Sequence, residues 1–574
     1  MVQFPIQPRR AITRITLAIM VGIIGGLAAI LFRILIEFFH DIFFDYLLSL
    51  ISFDLLGHNL SIILLPAIGG LIVAPIIAKI AIEAKGHGIP EIMESIHLHG
   101  GRIRGRVGFV KALASSITIG SGGSAGSEGP IGQISASLGS LIGQKLDLPE
   151  RRIKLLTVCG VAAGIGATFN APLGGAIFAM EVLLTEIETI SATSIILSSV
   201  VGTTLAEIWL GPSPAFKLTP ELSMYHPFSP PGHPIELLFY LTMGLIFGLI
   251  AILWVRILYL IEDFFDSLRI NFYFKPAIGG LLTGVLGLFF IDYGILGAGY
   301  ESVDVALAGR ISLSLLILLG ILKILSTSFT IGSGGSGGIF APSLFIGAMF
   351  GGAFGLILNQ IFPEIVKFPM AYALVGMGAL FAGAAGAPLT CIIMIPEMAG
   401  NYFLIPAMMV ACVSSYLVFS VFSRENIYTL KLVRRGIAID VDHVLSEVKV
   451  RDIMTKKIDS VNEDMRIPDL IKKMLREGHT GYPVIKDNEL IGIVTFRDLS
   501  EADMNERVGD ICTREVFTIG PNASAQDAVR MLFDKGVGRL IVTDEKNPKK
   551  ILGIISRTDI LKAYQTMIRV RKSL

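Results

Sequence analysis

Over its first three quarters the chain runs in long apolar tracts separated by short polar breaks. It then changes to short apolar segments set among charged residues. The first tract, Ile15 to Phe39, follows Arg9, Arg10 and Arg14. It exceeds the roughly 20 residues needed to span a bilayer and lacks the short core and small-residue cleavage site of a signal peptide. It therefore predicts a first membrane helix with a cytoplasmic N-terminus. Further apolar stretches lie at 60–82, 153–167, 171–210, 235–260, 275–291, 311–327, 340–359, 371–399 and 403–422. Several are too short or too rich in glycine to be plain spans. The tract 112–147 is membrane-like in composition yet is broken by a run of Gly and Ser. Irregular backbone at membrane depth is tolerated only where it is buried in protein or lines a cavity. The segment 211–234, rich in Pro, Ser and His, predicts an exposed loop between two halves, about 15–210 and 235–425.

An internal repeat supports that division. Gly120-Ser-Gly-Gly-Ser-Ala-Gly-Ser-Glu-Gly-Pro130 returns 212 residues later as Gly332-Ser-Gly-Gly-Ser-Gly-Gly-Ile-Phe-Ala-Pro342, with seven of eleven positions identical. Upstream, Gly86-His-Gly88 with Glu91 matches Gly297-Ala-Gly299 with Glu301; downstream, Ala171-Pro-Leu173 with Glu181 matches Ala387-Pro-Leu389 with Glu397. Glycine-interrupted apolar segments at corresponding places in two halves point to the binding site of a transporter. The spacing leaves open whether the halves are parallel or inverted. A second repeat lies in the tail, where Asp452-Ile-Met-Thr455 recurs as Asp510-Ile-Cys-Thr513 and Gly492-Ile-Val-Thr-Phe-Arg-Asp498 as Gly553-Ile-Ile-Ser-Arg-Thr-Asp559. Helical and strand-like patterns fall between these landmarks, which predicts an α/β unit built twice.

Charge sharpens the boundary. Residues 431–574 carry 26 Lys+Arg and 22 Asp+Glu, one residue in three, against about one in nine before them. The predicted order is a membrane domain over 1–430, a linker over 431–448, and two soluble copies over 449–503 and 507–567. A net charge of +1 gives no sign of a nucleic-acid partner. The four cysteines have no metal or disulfide spacing and read as small apolar residues. No nucleophile–base pair, metal cluster or phosphate loop stands out, so the pattern does not suggest an enzyme.

Each glycine-rich segment of the membrane part ends in a proline placed like the first residue of a helix: Pro90, Pro130 and Pro342. A helix start with uncovered N–H groups and the positive end of the dipole is an anion site. Three such starts can hold one anion without a full positive charge, which leaves release fast enough for conduction. The plainer alternative is that the glycines only allow close helix packing.

These segments resemble the signature motifs of the CLC chloride channel and transporter family. Gly86-His87-Gly88-Ile89-Pro90 resembles its GxGIP segment, Gly126-Ser127-Glu128-Gly129-Pro130 its GxEGP, and Gly338-Ile339-Phe340-Ala341-Pro342 its GxFxP. Tyr428 is placed like the family's pore tyrosine. The resemblance covers about 15–435. It implies an all-α polytopic membrane domain of two inverted repeats with broken helices, and a homodimer with an anion path in each subunit. The three motifs and Tyr428 would bind the anion, here chloride. Glu128 matches the gating glutamate, whose carboxylate can occupy an anion position until protonation frees it. An intramembrane acid is costly and points to function; the plainer reading is an acid that stabilises its helix start.

Two positions depart from the pattern. His87 stands where many members have serine; it can donate to an anion or point aside. Val182, in Phe169-Asn-Ala-Pro-Leu-Gly-Gly-Ala-Ile-Phe-Ala-Met-Glu-Val182, falls on the position of the exchangers' internal proton glutamate. Valine holds no proton, so the resemblance implies a channel-like or weakly proton-coupled chloride path, with an H+/Cl− antiporter as the alternative. Glu181 and Glu397 read as structural acids, Ser336 and Gly337 as loop geometry, and Phe340 and Tyr428 as walls of the inner pore. A CBS-regulated cation transporter is the remote alternative. It would need clustered intramembrane carboxylates, and the tract 112–147 offers one.

Residues 450–567 resemble a tandem pair of CBS domains, which implies a cytoplasmic α/β regulatory unit. Such pairs often bind ATP, ADP or AMP. Asp498 and Asp559 match the ribose-binding position, and Thr495 and Ser556 the phosphate side. No cofactor is required for transport itself. A pair that dimerises without ligand is the plainer alternative.

Overall fold

The structure, a computed structural model, describes residues 8–437, 445 and 448–563, apart from 52, 56–57, 185–188, 212–213, 228–231, 488, 501 and 546. The chain divides into two compact units, Met1–Lys431 and Leu432–Leu574. Half of the expected linker, both chain ends and the last residues of the second CBS copy lie outside the described residues.

The first unit is helical. Its first half holds α1 (Pro8–His40), α2 (Leu64–Ile80), α3 (Ile89–Leu98), α4 (Gly105–Gly120), α5 (Glu128–Lys145), α6 (Glu150–Phe169), α7 (Pro172–Leu183) and α8 (Thr189–Leu210). The second half holds α9 (Glu236–Ser267), α10 (Lys275–Leu288), α11 (Tyr300–Leu307), α12 (Leu313–Gly332), α13 (Phe340–Ile361), α14 (Ala371–Ala385), α15 (Pro388–Ala399), α16 (Ile405–Phe422) and the short α17 (Thr429–Arg434). Eight helical spans among the described residues are long and apolar enough to cross a membrane, so this is a multi-pass integral membrane protein. Leu27, Leu31, Leu249 and Leu253 are exposed on α1 and α9 while Ala18, Val21, Ala251 and Trp254 are buried, as suits helices with one face toward lipid.

Two apolar tracts that read as continuous are each two helices. The tract 371–399 breaks where Gly386 takes a left-handed backbone (φ 67°) and Pro388 starts α15. The tract 171–210 divides after Leu183 into α7 and α8; the device seen at Gly386 stands at its start, where left-handed Asn170 (φ 51°) ends α6 and Pro172 begins α7. A left-handed residue ends one helix, and a proline, which needs no N–H partner in the first turn, begins the next.

The two halves touch reciprocally. A side chain at Gly70 in α2 would meet the carbonyl of Pro276 in α10, and one at Gly280 in α10 would meet the carbonyl of Pro66 in α2. Glu181, in the last turn of α7, accepts from the N–H groups of Leu389 (2.9 Å) and Thr390 (2.7 Å) that open α15. Glu397, in the last turn of α15, accepts from Leu173 (3.1 Å) and Gly174 (2.7 Å) in the first turn of α7. Each acid caps the positive end of the other helix. Two corresponding helices that cap each other end to start run antiparallel, so the halves are inverted.

The second unit is α/β. Strands β1 (Val461–Asn462), β2 (Gly481–Lys486) and β3 (Glu489–Thr495) form one sheet with α18 (Ile467–Glu477). Strands β4 (Thr518–Ile519), β5 (Arg539–Thr543) and β6 (Ile551–Ser556) form the other with α19 (Ala525–Asp534). In each sheet the first strand is parallel to the middle one and the last is antiparallel to it. The copies exchange their leading segments. Thr455 of the first pairs with Ile554 on β6 through bonds of 2.9 and 3.0 Å, and Thr513 of the second pairs with Ile493 on β3 through two of 2.9 Å.

The start of α19 is a capping box. The Ser524 hydroxyl accepts from Asp527 N (3.1 Å), and the Asp527 carboxylate accepts from Ser524 N (3.0 Å) and from its hydroxyl (2.7 Å). The two bonds from Ser524 hold the Asp527 carboxyl below its ordinary range. A depressed folded value means that this contribution is complete above the unfolded pKa and fades as pH falls through the folded one. Ser524→Ala should cost about 1 kcal/mol at neutral pH. Hydrogen exchange on the full chain should then show α19 amides opening roughly fivefold more often, with the difference narrowing in acid below the ordinary aspartate range.

Candidate functional site

The site is built from the glycine-rich loops that the two halves send toward each other. Each leaves its helix by the same turn, with Gly122 (φ 94°) after α4 and Gly334 (φ 107°) after α12. Gly123 N donates to Thr118 O (2.8 Å) and Gly335 N to Thr330 O (3.1 Å). The loops then meet in a two-bond antiparallel bridge, Gly126 N to Gly338 O at 2.7 Å and Gly338 N to Gly126 O at 2.6 Å. A side chain at Gly338 would lie 2.9 Å from Gly129 N and 3.0 Å from Gly126 O and would part the loops. The third loop joins them through Gly86 N to Gly335 O (3.0 Å) and Gly337 N to Gly86 O (3.2 Å). A side chain on Gly129 would strike the carbonyl of His87. The starts of α3, α5 and α13 are thus brought together in a buried interior.

Glu128 opens α5 and is 2% exposed. One carboxylate oxygen accepts from the Ser127 hydroxyl (3.1 Å) and from the Tyr300 hydroxyl; the other accepts from Ala341 N at 3.3 Å, in the first turn of α13. The carboxyl group of Glu128 therefore sits at the positive end of a neighbouring helix, where a free anion would meet the same donor. His87 is buried, with its ring 5.7 Å from that of Tyr428, itself fully buried before α17. The Phe340 ring packs on Phe381 at 4.4 Å, Phe169 at 5.1 Å and Phe178 at 6.3 Å. Gly88 precedes α3 with φ 87°, Ile89 opens that helix, and Ile339 precedes α13.

Buried cations brace these loops. Lys111 on α4 donates to the carbonyls of Gly86 (2.6 Å) and Ala84 (3.1 Å). Lys323 on α12, at the corresponding place, donates to those of Gly294 (2.7 Å), Gly297 (2.8 Å) and Ile295 (3.4 Å). Both are fully buried, and carbonyl dipoles replace the water such ammonium groups would otherwise need. Lys431 lies 3.4 Å from Glu91 below the first loop.

Comparison with known proteins fits this geometry. The family model described as "Voltage gated chloride channel" matches residues 69–420. The chain belongs to the CLC family. The CBS domain model matches 450–505 and 508–566, so this is a CLC protein with a tandem CBS pair. The protein named H(+)/Cl(-) exchange transporter ClcA from Yersinia pestis bv. Antiqua (strain Angola) is 31% identical over 424 residues, covering 73% of this chain and 87% of its own length. A putative chloride channel protein ClcB-like from Ralstonia nicotianae is 30% identical over 376 residues, 65% and 85% of the two chains. Among solved structures, a slow cyanobacterial Cl-/H+ antiporter superposes with a TM-score of 0.67 at 27% identity, over 75% of this chain and 98% of its own. A eukaryotic CLC transporter shares the fold (TM-score 0.64, 19% identity), over 95% and 97%. As a CLC protein the chain passes chloride or a like anion through its membrane domain and is a transporter or channel rather than a catalyst.

All three signature motifs of the CLC domain meet at one place. Val182 does not join them; it lies half-buried in the last turn of α7, beside the helix-capping Glu181. Sequence reasoning overlooked Tyr300, Lys111 and Lys323. The lysines stand 212 residues apart, the spacing of the glycine repeat, and that match was a usable signal. In the CBS pair, Asp498 Oδ2 accepts from Thr495 N (2.7 Å) and its hydroxyl (2.8 Å). Asp559 Oδ2 accepts from Ser556 N (2.9 Å) and its hydroxyl (2.6 Å). The two sites have the same local geometry.

Lys323→Met removes the donor to three carbonyls just before α11. It should cost about 3 kcal/mol, seen as a lower unfolding midpoint of the detergent-purified protein, and Lys111→Met should act alike on the first loop.

Proposed function

We propose that this protein exchanges chloride for protons across its membrane and that Glu128 serves both as the gate of the anion path and as the proton carrier on its outer side. The observation that carries this reading is the Glu128 carboxylate lodged against Ala341 N at the start of α13. An ionised carboxylate and a chloride ion compete for that donor, whereas a protonated one does not. Binding a proton and admitting an anion are then linked at one group. The anion lies among the N–H groups and side chains at Gly86, His87, Gly88 and Ile89, at Gly126, Ser127 and Gly129, and at Gly338, Ile339, Phe340 and Ala341, with Tyr428 on the inner side. Each subunit of a homodimer has its own path.

Exchange is preferred to the channel-like reading because similar proteins are named exchange transporters or antiporters, at 31% and 27% identity. Val182 remains the observation that favours uncoupled passage, since it leaves no acid at the position where exchangers of the family hold the inner proton. In exchange, protons reach Glu128 by water or another group.

The test uses purified protein in chloride-loaded liposomes, with chloride efflux and proton uptake read together. Exchange predicts that chloride efflux drives protons uphill at a fixed ratio and that Glu128→Gln abolishes the proton movement. Chloride efflux that sets its Nernst potential with no uphill proton movement would establish the channel reading.

For the tail, the reading is an adenine nucleotide with its ribose on Asp498 and Asp559 and its phosphates near Thr495 and Ser556. The matching Thr–Asp and Ser–Asp turns after β3 and β6 support it. Asp498→Ala with Asp559→Ala should weaken binding of labelled ATP, ADP or AMP to the full chain by at least roughly tenfold, the order of a lost hydrogen bond to a charged group. Equal binding by wild type and variant would remove the assignment.

A further inference from the structure

We propose that Tyr300 is the latch of the Glu128 gate: its hydroxyl holds the carboxylate in the anion position, and chloride must break that bond to enter. The inference rests on the reading of Glu128 as the gate. Tyr300 opens α11 directly after Gly299, whose left-handed backbone (φ 86°) turns the chain into the helix. Its ring lies 6.5 Å from that of Phe169 and 6.2 Å from that of Phe216, an edge contact and a tilted one that limit where the hydroxyl can point. The hydroxyl donates to Glu128 Oε1, while Ala341 N donates to Oε2. One oxygen is thus bound to the helix start that an anion would use, and the other to a side chain from a different helix. A charge-assisted bond of this kind is about twice as strong as a neutral one. Lys323 adds rigidity behind it, since the carbonyls it binds at 294–297 lie in the segment leading to Gly299.

Tyr300 is a positioning residue, because it acts on the anion through Glu128. Its removal therefore has a sign that structural damage does not share. With Glu128 present, losing the hydroxyl weakens the competitor and lets chloride bind more tightly. With Glu128 absent there is no competitor to weaken.

The measurement is chloride binding by calorimetry on the purified full chain for wild type, Tyr300→Phe, Glu128→Ala and the double variant. Phenylalanine keeps the ring contacts, and the unfolding midpoint of each protein reports whether it is folded. Tyr300→Phe is expected to raise chloride affinity about tenfold in the wild-type background, the factor carried by one hydrogen bond to a charged group, and to leave it within about twofold in the Glu128→Ala background. An affinity that is unchanged or lower in the wild-type background overturns the latch, as does an equal rise in both. If Glu128→Ala itself leaves chloride affinity unchanged, the gate reading fails, and the latch fails with it. If Glu128→Ala raises affinity and Tyr300→Phe does not, the latch alone fails.

Discussion

The membrane domain depends on one contact, the two-bond bridge between Gly126 and Gly338. It joins the glycine-rich loops of the two halves at bonds of 2.7 and 2.6 Å, where neither backbone could approach the other past a side chain. In lipid every backbone polar group must find a partner. A broken helix at membrane depth is therefore stable only where protein or a water-lined cavity completes its bonding, and here part of that bonding comes from the other broken helix. The bridge meets that need for both loops together, and the starts of α3, α5 and α13 face one place as a result.

The same economy governs charge. Lys111 and Lys323 are solvated by loop carbonyls, and Glu181 and Glu397 by the helix starts of the opposite half. Glu128 is held by a helix start, a serine and a tyrosine. The lysines brace loops of their own halves, and the two acids cap each other's helices. Glu128 differs in that all three of its donors are uncharged and one is the backbone N–H of Ala341 in the first turn of α13, the contact on which the proposed gate rests.

The soluble unit uses reciprocity in another form. The leading segment of each CBS copy completes the last strand of the other, Thr455 on Ile554 and Thr513 on Ile493. Neither copy is finished alone. Arg539 adds a second tie, from β5 to the Gly481 carbonyl (3.0 Å) and the Thr480 hydroxyl (2.9 Å) of the first copy.

Much of this was legible in the chain before folding. Apolar run length marks the spans, charge density marks the change from membrane to soluble unit, and both repeats are visible as repeated words. Helix starts could be read from Pro90, Pro130 and Pro342, because proline in the first turn follows from local chemistry. Glu128 stood out because an acid among glycines in an apolar tract is costly without a purpose. The break at 386–388 was legible only through the repeat, where Ala387-Pro-Leu389 matches the Ala171-Pro-Leu173 that opens an earlier tract; apolar run length alone passed over it, and the left-handed turn at Gly386 shows only in the backbone. The sense of the repeat was open too: equal spacing fits parallel and inverted halves alike, and only the mutual capping of α7 and α15 decides between them. Tyr300 stands 172 residues from Glu128, and Lys323 reads as a stray charge in an apolar helix. Their roles come from groups distant in sequence sharing one buried space. Which segments are apolar, where helices begin and which acid is out of place can all be read along the chain, because these follow from composition and from neighbours a few residues away. Tertiary structure alone decided which helix start meets which carboxylate, because a desolvated polar group takes the partner that packing brings within reach, whatever the distance along the chain.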